Sequence, residues 1–353
     1  MEDYRRNMST SPPSSLRRVT IADIASASGV SIGAVSFALN GRKGVSESTR
    51  ERVMQVADEL GWAPARAARS LAEAKTDTIG FVLARDPYML GVETFYMRFI
   101  AGLESEFAER GYALLLQLAP NRDEELLTLK RWRNSRQVDG VILVDLAVDD
   151  RRVAQLSKPG ALPAIAVGDP SVAGALSSVW TDDDASMRSA VDYLSSLGHR
   201  RIVRVAGLTD LAHTTIRDAA FRDEMSARGL VPTILRTDYT AEESAAATRT
   251  ALRSDTPPTA FIYDNDIMAV AGLREVGREG FSVPADVSII GWDDSVLCDY
   301  TAPSLTALSH DIVAFGAHVG RRLFDVIAGA EAGAFKDSTP ELIVRESTGP
   351  APR

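Results

Sequence analysis

From residue 77 onward, short apolar runs alternate with segments in which apolar residues recur every three or four positions. The short runs, at 78–84, 113–118, 141–145, 164–168, 202–206, 233–236, 260–263, 288–291 and 341–344, read as strands. The periodic segments between them, among them 94–110, 183–197, 216–228, 266–279 and 311–328, read as amphipathic helices. Such alternation predicts parallel sheets covered by helices on both faces. The strands divide between two sheets, giving two lobes. A small ligand then belongs in the cleft, at the carboxyl ends of the strands.

The first sixty residues follow a different period. Thr20 caps a helix over 21–27, with Asp23 three residues on completing a short capping box and Ile21, Ile24 and Ala25 on one face. Gly29 supplies the backbone freedom of a tight turn. Ser31 caps a second helix running to Leu39, with Val35, Ala38 and Leu39 inward. Ser46 caps a third over 47–60, with Val53, Val56, Ala57 and Leu60 inward and Gly61 as its stop. Three short helices with a tight first turn resemble the DNA-binding module that lays its second helix in the major groove, and taken alone fit ordinary helix packing as well.

Charge bears on that reading. The chain carries −9 overall, which should repel a polyanion, yet residues 1–75 hold 11 Lys and Arg against 8 Asp and Glu. The only basic part of the chain is therefore the part with the three helices, and the acidic remainder keeps the rest off nucleic acid. No apolar run approaches the ~20 residues of a membrane span. The opening "MEDYRRNMSTSPPSSLRR" has no apolar core, so it reads as a disordered polar tail over 1–17 and not as a secretory signal. A single cysteine, Cys298 in "SVLCDY", reads as a packed thiol, and its being alone fits a reducing cytoplasm.

The segments "VTIADIA", "GVS..AVS.ALNG", "VSESTRERV", "ELGW.P...ARSL" and "TDTIGFV", followed in order by "GHRRI", "DNDIMA", "VPADVSIIGWDD" and "ELIVRES", resemble the LacI/GalR family of bacterial repressors over residues 19–349. The resemblance implies a small all-α helix-turn-helix head over 18–63, a hinge helix over 64–76, and an α/β body over 77–349. The body is expected to be two doubly wound parallel-sheet lobes like those of periplasmic binding proteins. Lobe 1 is expected over 77–180 and 306–334, and lobe 2 over 181–305 and 335–349.

In the head, the resemblance gives Thr20, Ser31, Ile32, Gly33, Ala34, Ser36 and Phe37 to the DNA-facing side, with Asn40 and Arg42 reaching the phosphate backbone. The family commonly has an arginine where this chain has Phe37, which removes the usual bidentate contact to guanine. Phe37 either meets a thymine methyl or turns into the small core. Leu71, with Ala68 beside it, wedges into the minor groove and kinks the duplex, by the same resemblance.

For the body it implies a ligand-binding set. Asp293 accepts hydrogen bonds from effector hydroxyls, Arg217 stands opposite, Trp292 offers a flat face to a sugar ring, and Phe95 and Tyr96 close the cleft from the other lobe. Asn265 ends its strand at the same level, with Asp266 beside it capping the next helix.

These expectations make a cytoplasmic, homodimeric regulator that binds a pseudo-palindromic operator and is controlled by a small effector, a sugar being the family's commonest choice. Two other classes fit less well. A solute-binding protein for transport leaves the basic head unexplained. An enzyme on this fold lacks its chemistry: His199, His213, His310 and His318 show no paired metal spacing, and neither a G-x-S-x-G elbow nor a glycine-rich phosphate loop is present. No cofactor is expected.

Overall fold

The computed structural model describes residues 19–62 and 75–353. The chain divides into two compact units, Met1–Ala74 and Lys75–Arg353. The expected tail, and the hinge segment with Ala68 and Leu71, lie outside the described residues.

The head is three helices, α1 (Ile21–Ser28), α2 (Ile32–Leu39) and α3 (Glu47–Glu59). Each begins where a hydroxyl side chain meets the free N–H groups of a first turn: Thr20, Ser31 and Ser46. At Thr20 the box is closed, the Thr20 N–H donating to Asp23 Oδ2 at 2.8 Å. Gly29, at φ 68°, stops α1 in the left-handed region and lets α2 leave at 104° to it. Ile24, Ala25, Val35, Ala38, Val53 and Ala57 are buried together. Leu60, expected inward, is 39% exposed, and Trp62 packs on the core instead. Arg50 ties α3 to the end of α2, donating to the Ala38 carbonyl at 2.8 Å and to the Arg42 carbonyl at 3.0 Å. It thereby satisfies carbonyls that a helix end leaves without partners.

The body contains two six-stranded sheets. The first, in the order β11-β5-β4-β3-β1-β2, is wholly parallel and comprises β1 (Thr78–Leu83), β2 (Ala113–Leu118), β3 (Gly140–Leu143), β4 (Ala164–Val167), β5 (Ser177–Trp180) and β11 (Ala334–Lys336). The second, in the order β12-β10-β9-β8-β6-β7, comprises β6 (Ile202–Ala206), β7 (Thr233–Arg236), β8 (Ala260–Tyr263), β9 (Ser288–Trp292), β10 (Thr306–Ser309) and the antiparallel edge β12 (Glu341–Ile343). Around the first pack α4 (Pro87–Val92), α5 (Thr94–Glu109), α6 (Arg122–Ser135) and α7 (Arg151–Leu156). The helices α8 (Asp183–Ser196), α9 (Ala212–Ala227), α10 (Ala241–Leu252), α11 (Asp266–Arg278) and α12 (Val296–Tyr300) follow, and α13 (Ile312–Ile327) returns to the first sheet.

Period-two alternation gives each sheet two apolar faces. In the first, Ile79, Phe81 and Leu83 face α5 and α13, while Val82, Val141 and Leu143 face Trp132 of α6. The α5–α13 contact is unusually close. A Cβ on Gly102 would stand 2.0 Å from the Val313 carbonyl oxygen, and one on Gly316 would stand 2.2 Å from that of Phe99.

The crossovers fall later than the sequence suggested. The strand Thr306–Ser309 completes the second sheet, so the chain leaves lobe 2 after 309 and not near 305. It returns after Lys336, because Ala334–Lys336 pairs with β5 in the first sheet. β5, β10 and β11 were absent from the expected strands for one reason. They are three or four residues long and carry Ser, Thr or Lys where a long apolar run would be the signal, yet Ser177, Ser178 and Thr306 are buried between neighbours. Beyond β12 the chain still holds lobe 2 together: the Ser347 hydroxyl donates to the Ile289 carbonyl at 2.6 Å, and Gly349 O meets His199 Nε2 at 3.0 Å.

Candidate ligand cavity and nucleic-acid interface

On the head, the side of α2 away from Val35 and Ala38 is nearly free of charge. Ser31, Ile32 and Gly33 are exposed, Ala34 and Ser36 half-buried, and Ile32 is 57% exposed. Phe37 is 40% exposed and stays out of the core; its ring lies over Gly44, where a Cβ would come within 2.9 Å. Of the two readings of Phe37, the core one is removed. Asn40 ends α2 and spends its amide locally, donating to the Ser36 carbonyl at 2.8 Å. The Thr20 hydroxyl is likewise bonded to Asp23 Oδ2 at 2.7 Å, whereas Arg42 is exposed beside Lys43. A face of small, hydroxylic and apolar groups flanked by cations suits base-edge contact in the middle and phosphate contact at the rim.

In the body, the carboxyl ends of both sheets open on one cleft, about 950 Å³ with the open solvent of its mouth included. Its polar lining follows strand ends one after another: Arg85 after β1, Asp145 after β3, Asp183 after β5, Asp264 after β8, Asp293 after β9 and His310 after β10. Phe95, Tyr96, Trp180, Tyr239 and Trp292 supply aromatic wall.

Three of these residues, Asp145, Tyr239 and Asp293, sit at positive φ (50°, 72° and 80°). Non-glycine residues hold that conformation only where the surroundings fix it. Tyr239 is fixed by Gly207, whose missing Cβ would otherwise fall 1.9 Å from the ring.

The charges are largely paired. Arg85 Nε donates to Asp145 Oδ2 at 2.9 Å, and Tyr96 Oη donates to the same oxygen at 2.6 Å. Burial opposes ionisation of Asp145, but Arg85, His213 and the Tyr96 hydrogen bond outweigh it and hold the carboxyl down at about 2. Arg217 reaches Asp183 Oδ1 at 2.8 Å, and its guanidinium lies 3.6 Å from the centre of the Trp292 ring. Behind it the fully buried Arg204 binds Asp218 and Asp264, each at 2.8 Å. His213 bonds Tyr239 Oη at 2.9 Å; burial first, and Arg217 second, push its imidazolium down to about 4, so the ring is neutral at neutral pH.

Asp293 differs. Its backbone N–H is tied to Leu308 and its carbonyl accepts from Arg98 of the opposite lobe at 3.3 Å, but no described residue donates to its carboxylate. Burial, with the nearby carboxylates of Asp266 and Glu93, raises its acid form well above the usual carboxylate range, against the pull of Arg217.

Of the expected ligand set, Phe95, Tyr96, Arg217, Trp292 and Asp293 meet in this cleft. Asn265 does not line it: its Oδ1 accepts from the Met268 N–H at 2.8 Å and caps α11. Asp266, expected as that cap, instead binds the Ser295 N–H at 2.6 Å and the Cys298 thiol at 3.1 Å. The switch follows from the backbone, since Asn265 is the last extended residue and Asp266 is already helical.

Arg85, Glu93, Asp145, Asp183, His213, Tyr239, Asp264 and His310 were not anticipated as lining. Asp145 ends an expected strand and Asp264 directly follows one, so the strand-end rule could have named both. Trp180 and His310 were hidden because the strands before them were.

Residues 20–65 match the model of bacterial regulatory proteins of the lacI family, and residues 191–348 match that of the periplasmic binding protein-like domain. Over 337 residues the chain is 32% identical to the HTH-type transcriptional regulator CelR of Thermobifida fusca, covering 94% of this chain and 98% of that one. The chain belongs to the LacI family. It is a transcriptional regulator with a DNA-binding head, as its relatives are, and those relatives are not enzymes. A solved LacI-family regulator from Bifidobacterium animalis subsp. lactis is 36% identical at a TM-score of 0.73, covering 78% of this chain and 99% of its own. A complex of CelR with cellobiose is 30% identical at 0.71, covering 94% and 100%. LacI-family membership accounts for both units at once, the basic three-helix head and the two-lobed body. Among the described residues, no single helix is long and apolar enough to cross a membrane.

Proposed function

We propose that this protein is a homodimeric cytoplasmic repressor whose grip on a pseudo-palindromic operator is set by a sugar bound between the lobes. The observation that carries the reading is the Asp293 carboxylate, which lines an aromatic-walled cleft with Arg217 nearby and has no donor among the described residues. A carboxylate with no protein donor keeps its acceptor sites open for ligand hydroxyls, and such bonds are strengthened by its charge. The complex of the relative CelR with cellobiose supports a carbohydrate.

On this reading two heads lay the N-terminal part of α2, from Ser31 to Phe37, on two half-sites, and paired Leu71 side chains with Ala68 bend the centre. The ligand changes the angle between lobes already linked by Arg98 and by the Ala147–Leu211 bridge, and so acts through different affinities for two states. The test is fluorescence anisotropy of full-length protein on its own upstream DNA, at several salt concentrations, with and without a panel of mono- and disaccharides. A salt-sensitive complex shifted at least several-fold by one sugar is expected. Absence of any preferred site at low salt overturns the reading.

A further inference from the structure

Six carboxylates and two guanidinium groups line the cleft, and the pairing among them is uneven. Both guanidiniums are already committed, Arg85 to Asp145 at 2.9 Å and Arg217 to Asp183 at 2.8 Å. Among the described residues three of the six carboxylates have no ion pair: Asp169, which caps the short turn after β4 by accepting the Ser171 N–H at 2.9 Å, and, one from each lobe, Glu93 at the start of α5 and Asp293. Glu93 is 9% exposed, does not cap its helix, and leaves Oε2 without a hydrogen-bond partner. Burial raises its acid form, with Arg85 acting against that. Among the described residues that line the cleft, the other buried side-chain atoms without a hydrogen-bond partner are Trp180 Nε1 and both ring nitrogens of His310.

This set of vacancies selects a chemistry. A phosphate or carboxylate placed here finds no free guanidinium and two carboxyl groups whose ionisation burial already opposes, so its charge is set against theirs or needs an added proton. Hydroxyl groups meet the opposite situation, since each O–H gives an unsatisfied oxygen its donor and the sugar oxygen accepts from Trp180 or His310.

Resting on the reading of this cleft as the effector site, we infer that the effector is an uncharged polyhydroxyl compound held between Glu93 and Asp293, and that Glu93 excludes phosphorylated and carboxylated sugars. Glu93 therefore sets specificity from lobe 1 while Asp293 does so from lobe 2. Because the two acceptors stand on different lobes, one ligand satisfies both only by spanning the cleft.

The test is isothermal titration of full-length protein with common mono- and disaccharides, glucose and cellobiose among them, each beside its 6-phosphate and its aldonic acid. A neutral sugar should bind at least about 100-fold tighter than its charged counterparts. Glu93→Gln should weaken that neutral sugar by about 10-fold and narrow the gap to the charged forms by a similar factor. Asp293→Asn serves as the second variant should Glu93→Gln melt early. A charged sugar that binds as tightly as its neutral parent, and is lost in Arg217→Ala, overturns the inference while the cleft remains the effector site. An unchanged gap in both carboxylate variants overturns it equally. Binding by no sugar of either kind overturns the effector reading and this inference with it.

Discussion

Arg217 lies flat over Trp292, 3.6 Å from the ring centre, while its Nη2 holds Asp183 at 2.8 Å. One face of the indole is therefore already covered by a guanidinium, and a sugar cannot use that face as the sequence alone suggested. The stack instead locks the rotamer of Arg217, so that its fork on Asp183 and the wall the two residues make are fixed before any ligand arrives.

Arg217→Lys should keep the charge and lose both the stack and the fork. Effector affinity is expected to fall roughly 10- to 100-fold. Tryptophan emission titrated with the sugar found active on DNA checks this, because Trp180 and Trp292 both face the cleft. An unchanged titration curve rules out the role given to Arg217.

Gly102→Ala and Gly316→Ala each place a methyl group against a backbone oxygen of the facing helix, at 2.0 and 2.2 Å respectively. Backbone cannot swing aside as a side-chain tip can, so α5 and α13 must separate. Each variant should lose roughly 2–3 kcal/mol or more, read as a lower urea midpoint, whereas Gly111→Ala at an open site costs only its left-handed φ of 73°.

Acid should weaken the fold through His213. Its folded-state pKa, about 4, lies below the unfolded value of about 6.5. Between those values the unfolded chain binds the extra proton, so stability contributed by the neutral ring is lost as pH falls from 6.5 towards 4. His199 and His310 are also lowered by burial and act with the same sign. The His213 share, roughly 2–3 kcal/mol across that window, is the part that should vanish in His213→Gln when urea midpoints are compared from pH 7 to 4.

On the head, Phe37→Ala should leave stability within about 0.5 kcal/mol, because the ring lies outside the core, and should lower affinity for the operator. Arg50→Ala should do the reverse first. It frees the Ala38 and Arg42 carbonyls and speeds hydrogen exchange in α2, at a cost of roughly 1 kcal/mol. Exchange measured by mass spectrometry alongside anisotropy separates the two effects; equal behaviour of both variants contradicts the assignment.

How much of this was legible beforehand depended on the signal each residue carried. Thr20, Gly29, Ser31 and Ser46 announce caps and a turn by residue type alone, and the structure puts each in that place. The long strands and five of the seven long helices of the body were legible through period. β5 and β11 were not, since Ser177-Ser178 and Ala334–Lys336 become strand only by joining a sheet whose other members are distant in sequence. In the cleft, Asp293, Arg217 and Trp292 were visible through motifs, but the partner of each charge was not. No spacing rule connects Arg85 to Asp145 across 60 residues, or leaves Glu93 Oε2 without a donor. Phe37 turned on tertiary position, which decided between surface and core where its residue type could not.

Both sheets receive their outermost strand from the last few dozen residues, Ala334–Lys336 for one and Glu341–Ile343 for the other. On the ribosome the three-helix reader is therefore finished long before either half of the sensor is sealed. A message cut short late in the gene yields polypeptides that carry an intact reader together with ragged, aggregation-prone sheet margins. On the proposed pairing and effector control, such fragments would join intact copies or hold promoters without answering the metabolite, so late nonsense alleles should behave as dominant and not as simple losses.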